Sequence, residues 1–164
     1  TSSPTSTRRW PPRRAILRAS LGTEGNGVFS LSSKAIYGVT ALVELAHHYR
    51  SGPIQIRDIA TRHEIPQHYL EQILSTLKRS GIVRSYRGAR GGYELTRHPD
   101  TIPLLDIMTE LEGPLSVATN QQGREPLAFL WDSMQEHIRE FLTQSLGDLI
   151  RLQTAATTDA DFMI

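Results

Sequence analysis

Between Ser80 and Pro99 the chain reads SGIVRSYRGARGGYELTRHP, with Arg87 and Arg90 set among Gly88, Gly91 and Gly92. A guanidinium is a planar fork that takes phosphate or carboxylate oxygens two at a time. Neighbouring glycines let the backbone come close to a partner. A turn needs glycine for positive φ but has no need of arginine, so this tip offers two forks to something outside the chain. A second set precedes it. In PQHYLEQILSTLKRSG, Gln67, His68, Glu71, Gln72 and Ser75 form one helical stripe, opposite Leu70, Ile73, Leu74 and Leu77. Gln pairs bidentately with adenine, Glu accepts from cytosine N4, and His or Ser takes a base edge or a phosphate. The chemistry on offer is hydrogen-bond reading rather than bond making.

Those side chains need elements to hold them. SLSSKAIYGVTALVELAHHYRSGP sets Ile36, Val39, Leu42, Val43 and Ala46 at helical spacing, with Ser32 or Ser33 as N-cap and Gly52-Pro53 as the stop. A short helix follows in IQIRDIATRHEI on the face of Ile56, Ile59 and Ala60, and Pro66 opens a third that Gly81 closes. IVRSY and YELT read as strands around the RGARGG turn. Thr101 and Pro103 begin a fourth helix, which Gly113-Pro114 ends. After a polar stretch, a long helix runs from about Pro126 with Leu130, Trp131, Met134, Ile138, Phe141 and Leu142 on one face. Ser145 and Asp148 have the spacing of a capping box that opens a short final turn.

The predicted fold is therefore mainly α with a small β-wing: a winged helix-turn-helix domain plus a long C-terminal dimerisation helix. The helices meeting at TRHEIPQ would form the helix-turn-helix, whose second helix enters the major groove of DNA. The hairpin becomes the wing. There Arg84, Arg87 and Arg90 would meet the concentrated negative potential of the backbone and minor groove. Lys78 and Arg79 would serve as helix-dipole partners or phosphate contacts.

The expected boundaries are a tail at 1–29, the winged domain at 30–112, a linker at 113–125, the dimerisation helix and terminal turn at 126–150, and a flexible end at 151–164. The tail is rich in Ser, Thr, Pro, Arg and Gly, with Glu24 its one acidic residue, so disorder is expected. A transit peptide, a basic arm on phosphates and an over-extended gene start are the alternatives.

Composition removes other classes. The 164 residues contain no cysteine, which excludes disulfides and thiolate-held zinc or iron–sulfur clusters. No apolar run approaches the roughly 20 residues of a membrane-spanning helix. Net charge is only +1, so any nucleic-acid surface must concentrate its charge locally. Of the six histidines, His47 and His48 are adjacent and point about 100° apart on a helix. No His-Glu-x-x-His, phosphate loop or nucleophile elbow occurs. No enzyme activity, metal or cofactor is expected.

The segments LSSKAIYGVTALVELA, PQHYLEQILSTLKRSGIVRSYRGARGGYEL and LLDIMTELEGPLS, with YLEQ at Tyr69 to Gln72 and RGxxGGY at Arg87 to Tyr93, resemble the BadM/Rrf-two family of bacterial regulators. The likeness covers about Ser30 to Leu149. It implies a homodimeric winged-helix repressor, cytoplasmic and nucleoid-associated, that binds double-stranded operator DNA and answers to a small-molecule or protein effector, with no membrane partner. It further implies backbone contact by Ser32, Ser33 and Lys34, phosphate contact by Tyr69, base reading by His68, Glu71 and Gln72, and a minor-groove position for Arg87. The sensor members carry three cysteines before the dimer helix, whereas GPLSVATNQQGREPL has neither cysteine nor histidine. The chain thus resembles the cysteine-free, CymR-like type, and cluster-based sensing of iron, redox state or nitric oxide is excluded. AIY in place of the usual GRY also removes one arginine near the DNA backbone. The rival reading is a winged-helix docking module that has lost specific DNA binding. It predicts a depleted stripe on the reading helix and a wing without arginines.

Overall fold

The computed structural model describes residues 31–114 and 128–161. The basic tail and nearly all of the expected linker lie outside them. Helix α1 spans Ser33–His47, α2 Ile56–His63 and α3 Gln67–Arg79. Strands β1, Val83–Tyr86, and β2, Gly92–Leu95, follow, then a 3-10 turn at Pro99–Thr101, α4 at Leu104–Glu112, α5 at Ala128–Phe141 and α6 at Leu146–Asp161. Mostly helical with one antiparallel ribbon, this is the winged architecture that the residue pattern predicts.

Helix α1 is the central post. Ser32 caps it, accepting from the Ala35 amide at 3.2 Å. Its buried face is Ala35, Gly38, Ala41, Leu42, Leu45 and Ala46, while the expected core residue Ile36 is exposed. The small residues explain that rotation. A Cβ at Gly38 would stand 2.5 Å from Leu111 Cδ1 and 3.2 Å from Ile73 Cγ2, so α4 and α3 close directly onto this side. Leu42, Ile59, Leu70, Ile73, Leu74, Leu77, Ile102 and Ile107 complete the core, each almost fully buried and each contributing about 1.5–3 kcal/mol of burial.

The turn between α2 and α3 contains no glycine. Glu64 takes the left-handed conformation at φ 56° and ψ 37° instead. The Ile65 amide then reaches back to the Ala60 carbonyl at 2.9 Å, and Ile65 drops its side chain into the core. That contact sets the angle between the two helices. At the far end of α3, the Ile82 amide bonds to Leu77 O at 3.0 Å past Gly81 and hands the chain to the wing.

The last element differs from expectation. In place of a short turn and a flexible end, α6 continues to Asp161. Ser145 and Asp148 form the capping box, with Ser145 N–H to Asp148 Oδ2 at 2.9 Å and Asp148 N–H to Ser145 Oγ at 3.1 Å. The helix is held on as well as started. Leu146 is fully buried, Arg151 bonds Asp100 at 2.8 Å, and His47 on α1 meets Gln153 at 3.2 Å. The α5–α6 junction is tied to the start of α4 by Leu104 N–H to Gln144 O, Leu105 N–H to Leu142 O and Leu146 N–H to Ile102 O, at 2.8, 2.9 and 2.8 Å.

Candidate nucleic-acid interface

Helix α3 buries Leu70, Ile73, Leu74 and Leu77 and leaves Gln67, His68, Glu71, Gln72 and Ser75 exposed on the opposite side. The side chains of His68, Gln72 and Ser75 make no hydrogen bond or ion pair among the described residues. Gln67 Nε2 donates to Glu71 Oε1 at 3.1 Å, one turn along, and so fixes that carboxylate. Tyr69 is half-buried and packs edge-on against Tyr37 of α1, ring centroids 6.0 Å apart. That contact locks the start of the reading helix to the start of α1, where Ser33 and Lys34 occupy the first turn. Ser32 is engaged by the chain itself, as the cap of α1 and as donor to Glu112 Oε1.

The wing is more than a hairpin. Arg84 lies opposite Glu94 and Tyr86 opposite Gly92 in the β1–β2 ladder. A third segment joins it: Ile54 and Tyr93 exchange both backbone bonds, at 2.9 and 2.8 Å, and Gln55 Nε2 donates to Ala89 O at 3.0 Å. The wing is therefore fastened to the chain immediately before α2. Gly92, at φ 152°, makes this possible, since a Cβ there would fall onto the Ile54 carbonyl. At Gly91 a Cβ would strike the Tyr86 carbonyl oxygen across the turn. The adjacent glycines thus serve close backbone approach within the protein.

The three wing arginines separate. Arg84 binds Glu94 Oε1 through Nε at 2.7 Å and Nη2 at 2.6 Å, and the Tyr86 hydroxyl donates to the same oxygen at 2.8 Å. Those bonds, Tyr86 first and then Arg84, hold the Glu94 carboxyl below its usual range. The Glu94 bond raises Arg84 in turn. Arg87 and Arg90 at the tip are exposed and make no ion pair or hydrogen bond among the described residues. Lys78 donates to Ser85 Oγ at 2.6 Å, and Arg79 to Thr76 Oγ1 at 3.3 Å. Tyr93 lies on β2 of the wing, within reach of the charge on the reading helix. Burial, and secondarily the Glu71 charge, raise its phenol above the usual value.

Helix α5 carries the other expected surface. Phe129, Leu130 and Phe141 are 72%, 41% and 46% exposed, in line with half-buried Trp131, Met134 and Ile138, while Leu142 packs onto the core. An apolar stripe left this open on a helix is unlike the buried faces of α1 to α4.

Sequence reasoning missed Gln55, Glu94 and Glu44. Glu44 is buried on α1, where it receives Arg62 and, at 3.2 Å, His63 Nε2, both from α2. It thereby pins the first helix of the helix-turn-helix. The Arg84–Glu94 pair was within reach of a register count across the hairpin. An acidic residue inside the apolar run of the first helix was the available sign for Glu44.

A reading helix with an outward polar stripe, a glycine-fastened wing and two tip guanidinia that make no ion pair among the described residues define a winged helix-turn-helix DNA-binding protein. The family model for Rrf2, described as iron-dependent transcriptional regulator, matches residues 31–152. The HTH-type transcriptional regulator CymR of Bacillus subtilis is 40% identical over 121 residues, 73% of this chain and 88% of that protein. IscR of Erwinia tasmaniensis is 36% identical over 132 residues, 75% and 79% of the two. The solved structure of CymR, the global cysteine regulator of B. subtilis, superposes with a TM-score of 0.71 at 38% identity, covering 76% of this chain and 98% of that one. The chain belongs to the Rrf2 family of transcriptional regulators. The iron in the family's description does not fit these residues as a thiolate-held cluster. The sequence has no cysteine, and among the described residues no three His, Asp or Glu side chains gather as ligands.

Proposed function

We propose that this regulator is a homodimeric, sequence-specific repressor that occupies an operator without an iron–sulfur cluster. Gln67, His68, Glu71, Gln72 and Ser75 face base edges in the major groove. Ser33, Lys34 and Tyr69 hold the flanking phosphates together with Ser32, and Arg87 and Arg90 enter the minor groove beside them. Arg84 supports the wing through Glu94 and so acts on DNA through the position of the tip. The observation that carries the reading is the outward polar stripe of α3 standing beside two wing arginines that make no ion pair among the described residues. A docking module would keep neither.

Dimerisation is assigned to α5. Its open stripe, from Leu130 and Trp131 through Met134 and Ile138 to Phe141, is suited to a second copy related by a two-fold axis, with Leu142 anchoring its end on the core. A dimer also has the symmetry that half-sites roughly 34–36 Å apart require. In this reading the protein works in the bacterial cytoplasm on the nucleoid, and an effector, small molecule or protein, sets its occupancy. The test is selection of bound fragments from sheared genomic DNA by the full chain at physiological salt. Recovery of a roughly palindromic motif is expected. Recovery of unrelated fragments only would overturn sequence-specific binding.

A further inference from the structure

Several cations of the winged body are engaged within the chain: Arg62 by Glu44, Arg84 by Glu94, Arg97 by Asp106 at 3.5 Å, and Arg50 over the Tyr49 ring. Arg57 is different. It is exposed, and like Arg87 and Arg90 it makes no ion pair or hydrogen bond among the described residues. It lines an open groove of about 570 Å³ between the start of α2 and the wing. Gln67 of the reading helix forms part of the wall, and Gly88, Ala89 and Gly91 of the wing turn form another part.

The lining's cation is Arg57, and no carboxylate belongs to it. Beside Arg57 the Ser85 hydroxyl faces the groove, while Gln55 Nε2 is held by Ala89 O and Gln67 Nε2 by Glu71 Oε1, whose carboxylate stands at the rim. Ser85 also brings Lys78 to the rim, with Nζ 2.6 Å from its Oγ. The walls cannot drift apart freely, because Gln55 Nε2 holds the Ala89 carbonyl and Ile54 is paired with Tyr93. Small-molecule sites enclose most of their ligand's surface. A shallow trough whose cation, Arg57, has no partner among the described residues, running from the reading helix to the wing tip, suits a polyanionic strand passing through.

Resting on the DNA-binding reading above, we infer that this groove seats a backbone phosphate of the bound duplex and that Arg57 is its cation. The contact bridges the major-groove face of α3 and the minor-groove face of the wing, and it carries no sequence information. In the sequence Arg57 adjoins Asp58, and nothing in its spacing marks it out. Only the fold shows that it stands in the groove.

The test is fluorescence anisotropy over a salt series, with the full chain on its selected fragment and on an unrelated duplex. Neutralising one phosphate contributes about 0.9 to the slope of log K against log salt. Arg57→Ala should therefore flatten the slope by about 0.9 on both duplexes. Between 50 and 200 mM salt it would then lose about 3.5-fold less affinity than wild type does. Arg57→Lys should keep the wild-type slope, and both variants should keep the wild-type melting temperature. If wild type binds and Arg57→Ala has an unchanged slope, the phosphate seat is overturned. A loss confined to the selected fragment also overturns it, since Arg57 would then read a base. If wild type binds neither duplex, the DNA-binding reading itself fails.

Discussion

Replacing Gly92 by Ala should unfasten the wing while the helical core stays folded. The added Cβ would fall onto the Ile54 carbonyl, 2.5 Å from its carbon, at a φ of 152° that an L-residue rarely holds. The two backbone bonds between Ile54 and Tyr93, at 2.9 and 2.8 Å, lie next to the intrusion and are the first to yield. Losing both costs about 1–3 kcal/mol. Backbone strain at the site adds about 1–3 kcal/mol more. A local destabilisation of at least about 2 kcal/mol corresponds to about thirtyfold more frequent opening. Site-resolved hydrogen exchange reads this directly: the Ile54 and Tyr93 amides should exchange at least about thirtyfold faster. The amide of fully buried Leu74, protected by the core, should change far less. Operator affinity should fall with the wing. Wild-type exchange at both amides would refute the claim that close approach at Gly92 fastens the wing.

Other consequences concern charge and backbone. Arg87→Ala and Arg90→Ala should each flatten the salt dependence of DNA binding by about 0.9, whereas Arg84→Ala should leave the slope intact because Glu94 already neutralises that charge. Equal slope changes in all three would contradict the pairing. Glu64→Gly should raise stability by about 0.5–1 kcal/mol in urea titrations, since glycine holds the left-handed turn conformation without a Cβ clash; a lower midpoint would refute this. The Asp148 carboxyl should titrate at about 2 in NMR, below its ordinary 3.8, because the Ser145 amide, the Ser145 hydroxyl and Arg151 bind its charged form. A carboxylate depressed in the folded state adds stability that is full above its ordinary value and fades as the pH falls through about 2. A midpoint near 3.8 would show that the α6 cap is absent in solution.

Much of this was readable before folding. Leu70, Ile73, Leu74 and Leu77 share a face by spacing alone, so the stripe they leave outward was fixed by the same count. The wing was legible because glycines and β-formers alternate abruptly around Arg87. What escaped depends on contacts between distant residues. Ile54 pairs with Tyr93 through a single bridge, too short for any periodicity to register. Glu64 turns the chain where no glycine announces a turn. The exposure of Ile36 follows from small residues at 35, 38 and 41 admitting α3 and α4, a preference for close packing over hydrophobicity. The length of α6 was hidden by its polar, Thr-rich second half. The separate roles of Arg84 and Arg87 emerge only once the register sets Glu94 across from the former.

The central claim is that two copies of this chain grip one duplex, each with a reading helix and a wing. Hydroxyl-radical footprinting of the full chain on its selected fragment tests it most directly. The account predicts two symmetry-related sets of protection, with major-groove centres about one helical turn apart and flanking minor-groove cuts suppressed where Arg87 and Arg90 enter. A single protected patch without two-fold symmetry, or full cleavage in the flanking minor groove, would contradict it.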